Sequence, residues 1–559
     1  MNRFENSLNK IASKKNIHFW MFFAILLILT CLMTYSYPIQ PGHDFHFHYT
    51  RFNALIEALN DGRYPYYIDY TAANGYGYFT SAFYCDLILV PFAYIGTFTN
   101  SIFAYQIMLF TMTMLAGIFM YMTVNKIYKS NYAASISGIL YAFAYYRLLD
   151  IYRRGALGES LSFTFVPIII LGIYHIIKGD YRKWYILALG FAGMIFCHVI
   201  SSVLMFITVI IILLIYCKPL IKEPKRIAYL CLSGIVALVL IAYYLYPLVE
   251  QMLSNKFYYE TKAVISDIDA QKHPSEIIRG LFSGIVYHTK IFIPGTGVIL
   301  TAMICLRLFV HNKSKALRTI DIGVIVGIFY IFASSVYFPW HVFPFNKLGF
   351  IQLPWRLYEF TTFFFAIAGG YYLSLLLKTH LKRFLGTTLV IILTVIMLVS
   401  DGKHYTSVTT MRVKMKPSIG MDYHLGMMEY LPEKVPAPWY IESRGNSIDY
   451  ENKDTQISNL KKEKGITTFD VSINKSDSLE LPLTYYKGYA AYLNEKEISI
   501  NESNHGFVEI PIQESGNVKI IYAGTFVQKI SPYITLVSLL LLCVYIIFSI
   551  RKKKRDESI

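Results

Sequence analysis

The sequence predicts an all-α polytopic membrane protein that carries a β-sandwich-like domain ahead of its last apolar segment. Three observations predict it. Only 16% of the 559 residues are charged and 55% are hydrophobic, whereas a soluble protein carries roughly 25% charged residues. Apolar runs of about 20 residues recur along the chain, the length that crosses a bilayer as a helix. Between 402 and 530 that pattern stops and gives way to short alternating stretches separated by turn residues.

In chain order, the first apolar stretch, 18–37, follows Lys10, Lys14 and Lys15 and has no small-residue cleavage site behind it. It reads as an uncleaved first span. Further apolar segments lie near 82–98, 101–124, 132–148, 160–177, 184–199, 200–217, 227–249, 291–311, 319–338, 357–377, 383–400 and 531–550. Basic clusters stand at Lys126/Lys129, Lys178/Arg182/Lys183, Lys218/Lys222/Lys225/Arg226, Arg307/Lys313/Lys315/Arg318, Lys378/Lys382/Arg383 and Arg551 to Arg555. The positive-inside rule assigns such clusters to the cytoplasm. With the N-terminus inside, all of them are cytoplasmic only if one early segment fails to cross. Segment 82–98 is that one, because it is short, holds Asp86 and Pro91, and has no basic neighbour. It reads as a re-entrant or surface-lying helix on the outer face. The 184–217 run then forms two short helices that turn at the outer face around His198. The count comes to about twelve crossings with both termini inside.

Residues 1–401 are therefore expected to form the transmembrane domain, with outer loops at 38–100, 148–159, 250–290 and 339–356. Residues 402–530 form an outer β-rich domain, and 531–559 form the final span and a basic cytoplasmic tail. Stretches 468–473, 489–493 and 518–522 alternate as strands do, and Asn494-Glu495-Lys496 marks a hairpin. All seven cysteines lie in or beside apolar segments, so neither a disulfide framework nor a zinc-type spacing is expected. Much of the net charge of +16 lies in short loops between spans and does not call for nucleic acid, and the 47 tyrosines suit interfacial belts. The sequence shows no internal repeat of the kind that marks many transporters.

The stretch of greatest chemical density is 41–51, Pro-Gly-His-Asp-Phe-His-Phe-His-Tyr-Thr-Arg. As a helix it would place Asp44, His48 and Arg51 on one face. As an extended chain it would align Asp44, His46 and His48 instead, a set with which a divalent metal is conceivable. Ionisable groups beside lipid are costly without partners or a task. The loop at 148–159 carries Asp150, Arg153, Arg154 and Glu159. Guanidinium forks suit phosphate, and pairing of Arg153 or Arg154 with Asp150 or Glu159 is the structural alternative. His198 is either a helix-end hydrogen-bonder or a site residue. Trp355 suits interfacial anchoring or sugar stacking, and Arg356 suits a lipid phosphate. Walker, Rossmann, Gly-x-Ser-x-Gly and His-Glu-x-x-His patterns are absent, which sets aside nucleotide-driven, serine-hydrolase and zincin chemistry.

The layout resembles the GT-C superfamily of integral-membrane glycosyltransferases. Gly42-His43-Asp44-x-x-Phe47-His48-x-x-Arg51 is similar to the opening motif of bacterial membrane proteins labelled "6-pyruvoyl-tetrahydropterin synthase-related". Arg154-Gly155-Ala156-x-x-Glu159 and Gln352-x-Pro354-Trp355-Arg356 strengthen that likeness. Leu483-Thr484-Tyr485-Tyr486-x-Gly488-Tyr489 resembles YfhO-type proteins of Gram-positive bacteria, which are linked to glycosylation of cell-envelope polymers. The resemblance implies a bacterial plasma-membrane enzyme with its β-domain outside. It would move a sugar from a polyprenyl-phosphate donor to a cell-envelope glycopolymer or lipid acceptor. Asp44 would be the general base, with Glu159 the second candidate. His43, His48, Arg51, Arg153, Arg154, His198, Trp355 and Arg356 would bind substrate. The rival class is non-catalytic, either a lipid-linked saccharide flippase or a scaffold for envelope polymers.

Overall fold

The computed structural model describes residues 17–36, 44–261, 271–287, 293–413, 425 and 428–558. The chain divides into two compact units. One comprises 1–45, 102–237 and 266–415, and the other 46–101, 238–265 and 416–559.

The first unit is helical. Among the described residues, six helices are long and apolar enough to cross a membrane, and a seventh is added if the bent pair Lys225–Leu240 and Ala242–Ser254 counts as one. Val166–Ile177, Val199–Ile215 and Gly297–Phe309 are apolar but shorter than the usual span. Lipid offers no hydrogen bonds to the backbone, so helices are what such sequences form there. Between them, small residues permit close approach. A Cβ on Gly370 would stand 2.3 Å from Ser137 Oγ, which locates the tight contact of Tyr358–Leu376 with Asn131–Ala142. The run 184–217 does form two helices, Tyr185–Cys197 and Val199–Ile215, broken at His198. Segment 82–98 yields only the nine-residue helix Val90–Phe98 after the short turn Thr80–Phe83. At about 1.5 Å per residue such a helix falls well short of a hydrocarbon core about 30 Å thick.

The second unit holds the β-structure and the last apolar helix, Phe526–Ser558. Its strands are β1 (Asp449–Tyr450), β2 (Gln456–Glu463), β3 (Ile466–Ser472), β4 (Asp477–Thr484), β5 (Tyr489–Leu493), β6 (Lys496–Ile498), β7 (Asn501–Glu502), β8 (Phe507–Ile512) and β9 (Gly516–Tyr522). They make a four-stranded sheet, β1-β4-β8-β7, and a five-stranded sheet, β2-β3-β9-β5-β6. Alternation places Phe469 and Val471 of β3, Val518 and Ile520 of β9, Leu479 and Leu481 of β4, and Val508 and Ile510 of β8 in one apolar core. The expected hairpin joins β5 to β6 through Asn494 and Glu495, both at positive φ (48° and 69°). Two such residues make the primed turn that suits strand twist.

Residues 68–84 belong to this unit as well. Phe79 stacks on Tyr486 at 5.1 Å between centroids, and Tyr486 donates its hydroxyl to Tyr430 O at 3.0 Å. Thr484 N donates to Tyr76 O at 2.9 Å. The Leu483–Tyr489 motif thus has a structural task, holding the 68–84 segment against the β-structure.

Candidate active site

The polar residues of the first unit converge on the 148–159 stretch. The sequence reads it as an outer polar loop with arginine–carboxylate pairing as one alternative, and in the structure Asp150, Arg153, Arg154 and Glu159 are all buried and Arg154 pairs with Asp150 and Glu159. Burial of so many charges is tolerable only because opposite signs meet. Leu149–Arg154 forms one wide π-type turn, ended by Gly155 at φ 67°. A Cβ on Gly155 would lie 2.6 Å from Phe45 Cβ and 2.8 Å from Phe45 N, so only glycine admits the chain here. That close approach carries a hydrogen bond, Asp44 N donating to Arg154 O at 2.7 Å.

Arg154 is the hub. Its Nη1 donates to Asp150 Oδ1 and to Glu159 Oε2, each at 2.7 Å, and its Nη2 stands 3.8 Å from Asp44 Oδ2. Glu159 also accepts from the Tyr146 hydroxyl at 2.6 Å and from Arg356 Nε at 3.3 Å. Arg356 further donates through Nη1 to Ile351 O and to Gln352 Oε1. Burial alone would raise the Glu159 carboxyl, but the Arg154 and Arg356 guanidiniums overcome it and hold Glu159 down to about 2. Asp150 goes the other way, pushed well above the usual carboxylate range by burial and then by the Glu159 charge. Its Oδ2 is buried and meets no partner among the described residues.

A further carboxylate, Glu359, extends the network. Ser162 Oγ lies 2.7 Å from Glu159 O and 2.7 Å from Glu359 Oε1. Ser201 Oγ lies 2.7 Å from Glu359 Oε2 and 2.8 Å from His198 Nδ1. His198 caps Val199–Ile215, its Nδ1 accepting from Ser201 N at 3.2 Å. Enclosure by protein, with Arg356 beside it, pushes the imidazole down to about 3. An unprotonated Nδ1 is what the cap requires.

Asp44 differs from the other carboxylates. Its side chain is 45% exposed, against 0% for Asp150 and 1% for Glu159. It precedes the helix Phe45–Asn60, so it stands at the helix entry rather than on a face with His48 and Arg51. The extended reading of Asp44, His46 and His48 does not hold, since both histidines lie in that helix. His48 and Arg51 belong to the second unit. His48 packs edge-on against Phe47 and Tyr84. Arg51 donates to Tyr84 O and Cys85 O at 3.2 Å and stacks over the Tyr84 ring at 5.3 Å. Trp355 is buried with Lys272 Nζ 4.4 Å above its ring. His43 lies outside the described residues. Among the described residues no group of three or more His, Cys, Asp or Glu gathers as a metal site.

The structure therefore unites Asp44, Arg154, Glu159, His198 and Arg356, and adds Tyr146, Ser162, Ser201 and Glu359, to which sequence reasoning gave no role. Glu359 carried one available signal, a carboxylate at the start of an apolar segment. As a unit the cluster pairs an accessible carboxylate with a rigid, charge-balanced support, an arrangement suited to proton transfer.

No family model matches the chain. It is 23% identical to an uncharacterized protein of Lactococcus lactis subsp. cremoris (strain MG1363), over 642 aligned positions that cover all of both chains. It is also 32% identical to the uncharacterized protein YfhO of Bacillus subtilis (strain 168) over 105 residues, 19% of this chain and 12% of YfhO. The similarity to YfhO is thus weak and local.

Proposed function

We propose that the protein is a GT-C-type membrane glycosyltransferase that moves a sugar from a polyprenyl-phosphate donor to a cell-envelope acceptor on the outer face. In this reading about twelve segments cross the membrane, both termini are cytoplasmic and the β-domain is extracytoplasmic. The observation that carries the assignment is Asp44, an accessible carboxylate at the edge of a buried ion network, with Arg154 Nη2 3.8 Å away. An acceptor hydroxyl is a poor nucleophile. Asp44 takes its proton as the oxygen bonds to the anomeric carbon, and the bond from that carbon to the lipid phosphate breaks. Glu159 is then a positioning residue, because Tyr146, Arg154 and Arg356 already occupy its oxygens. Arg154 and Arg356 face Asp44 and Glu159 as counter-charges, so the cluster is no net cation, and a donor-phosphate role for Arg153, Arg154 or Arg356 rests on the resemblance.

The test incubates purified protein with a labelled polyprenyl-phosphate sugar and envelope acceptor, and follows label leaving the lipid. Asp44→Asn should abolish transfer while the protein stays folded in the membrane. Full transfer by that variant would remove Asp44 from the mechanism. No transfer by the wild-type protein would favour the flippase or scaffold class.

A further inference from the structure

The second unit contains a cleft of about 700 Å³ that the transfer reading does not use. Arg63, Lys464 and Lys529 line it together with Tyr70 and Tyr533, and among the described residues no carboxylate lines it. Three cations around a concave surface, with one carboxylate, Asp61, behind two of them, leave a local excess of positive charge that a cleft focuses. The wall is also well fixed. Lys464 and Gly465 form the two-residue turn between β2 and β3, at φ 50° and 81°. A Cβ on Gly465 would stand 2.5 Å from the Tyr70 ring, so the turn lies flat on that ring and holds Lys464 over the cleft. Asp61, which does not line the cleft, steadies two of the cations. It receives Arg63 Nη2 at 3.0 Å and Nε at 3.2 Å, and Lys464 Nζ at 3.2 Å. One edge of the Arg63 fork is engaged in this way, and a guanidinium has five donors.

The opposite wall says where the occupant comes from. Lys529, Pro532 and Tyr533 belong to the first turns of Phe526–Ser558. The most apolar 18-residue window of that helix is only 6% buried inside the protein, as suits a helix whose surroundings are lipid. A cleft built half from basic loops and half from the entry of a lipid-facing helix lies at headgroup level. Tyrosine is the residue expected there.

We propose that this cleft binds the phosphate of an anionic membrane lipid, Arg63 and Lys464 gripping the phosphodiester and Lys529 adding the third positive charge. The site stands apart from the glycosyl-transfer reading and holds whether or not the protein transfers sugar. A zwitterionic headgroup brings its own cation and gains less from the cleft.

The test uses the full chain in detergent with native mass spectrometry, which counts bound phosphatidylglycerol against phosphatidylcholine. Wild-type protein should prefer phosphatidylglycerol. The triple variant Arg63→Gln, Lys464→Gln, Lys529→Gln should lose that preference by at least about tenfold, the size expected from several basic contacts to an anionic headgroup. Asp61→Asn keeps the three cations and removes one negative charge, so its preference should hold or grow. Displacement of phosphatidylglycerol by glycerol 1-phosphate would identify phosphate itself as the ligand, whatever carries it. Retention against glycerol 1-phosphate would identify the lipid-borne form. A wild-type preference in the folded triple variant would overturn the proposal. If the triple variant misfolds, the single changes Lys464→Gln and Lys529→Gln carry the same comparison, and an undiminished preference in both overturns it.

Discussion

Arg154 and Arg63 carry the same group in different settings, one in the buried cluster of the first unit and one beside the cleft of the second. Arg154 is 4% exposed and faces carboxylates that are themselves buried. Arg63 is 29% exposed and its partner Asp61 28%. Buried ions must find a counter-charge within the protein or change protonation. Ions at the surface are screened by water and stay available to a ligand. A count of arginines on one face therefore says little about phosphate binding until burial is known.

Four experiments would break or sharpen this contrast. The largest effect is expected for Glu159→Gln, which leaves Arg154 and Arg356 without their shared counter-ion. Breaking a buried pair in this way costs on the order of 3–5 kcal/mol, seen as a large fall in melting temperature in detergent. A small fall would mean that the two arginines find other partners. Next is acid sensitivity at His198. Its imidazole is held down to about 3 in the fold and titrates near 6.5 when unfolded. Its contribution is fully present above about 6.5 and is lost as pH falls toward 3, because only the unfolded chain takes the proton in that window. His198→Asn retains a cap and should flatten that part of the pH–stability curve. The cap itself is worth about 1 kcal/mol. Asp44→Asn should change stability by less than about 0.5 kcal/mol, as exposed substitutions do, while removing transfer. Asp61→Asn, in the open ion group, should leave the melting temperature unmoved. A clear drop there would show that the cleft ions hold the fold together rather than await a ligand.

Much of the site was legible because its members stand out chemically at the ends of apolar runs. Asp44, Arg154, Glu159 and Arg356 are all of that kind. Their partnership was not legible, since Arg356 and Glu159 are 197 residues apart. Ser162 and Ser201 carry no charge to mark them in apolar helices, and their partner Glu359, though a carboxylate at the start of an apolar segment, is 197 and 158 residues away. The shared face expected for Asp44, His48 and Arg51 failed for a local reason. The Asp44 amide is claimed by Arg154 O, and the helix starts only at Phe45. The β-sandwich was read well because alternation and turn residues act over a few positions. Helix length alone does not give the crossing count, since six described helices have the length and apolarity of a span and others are apolar but short. Helices such as Val166–Ile177 are apolar without having the length of a span.

The bond from Asp44 to Arg154 gives the molecule an order of manufacture. The first of these residues to leave the ribosome is not held in place until the second has been made. Glu159 then waits 197 residues more for Arg356, roughly 10–40 s at ordinary rates of synthesis. During that interval its carboxylate has one guanidinium instead of two.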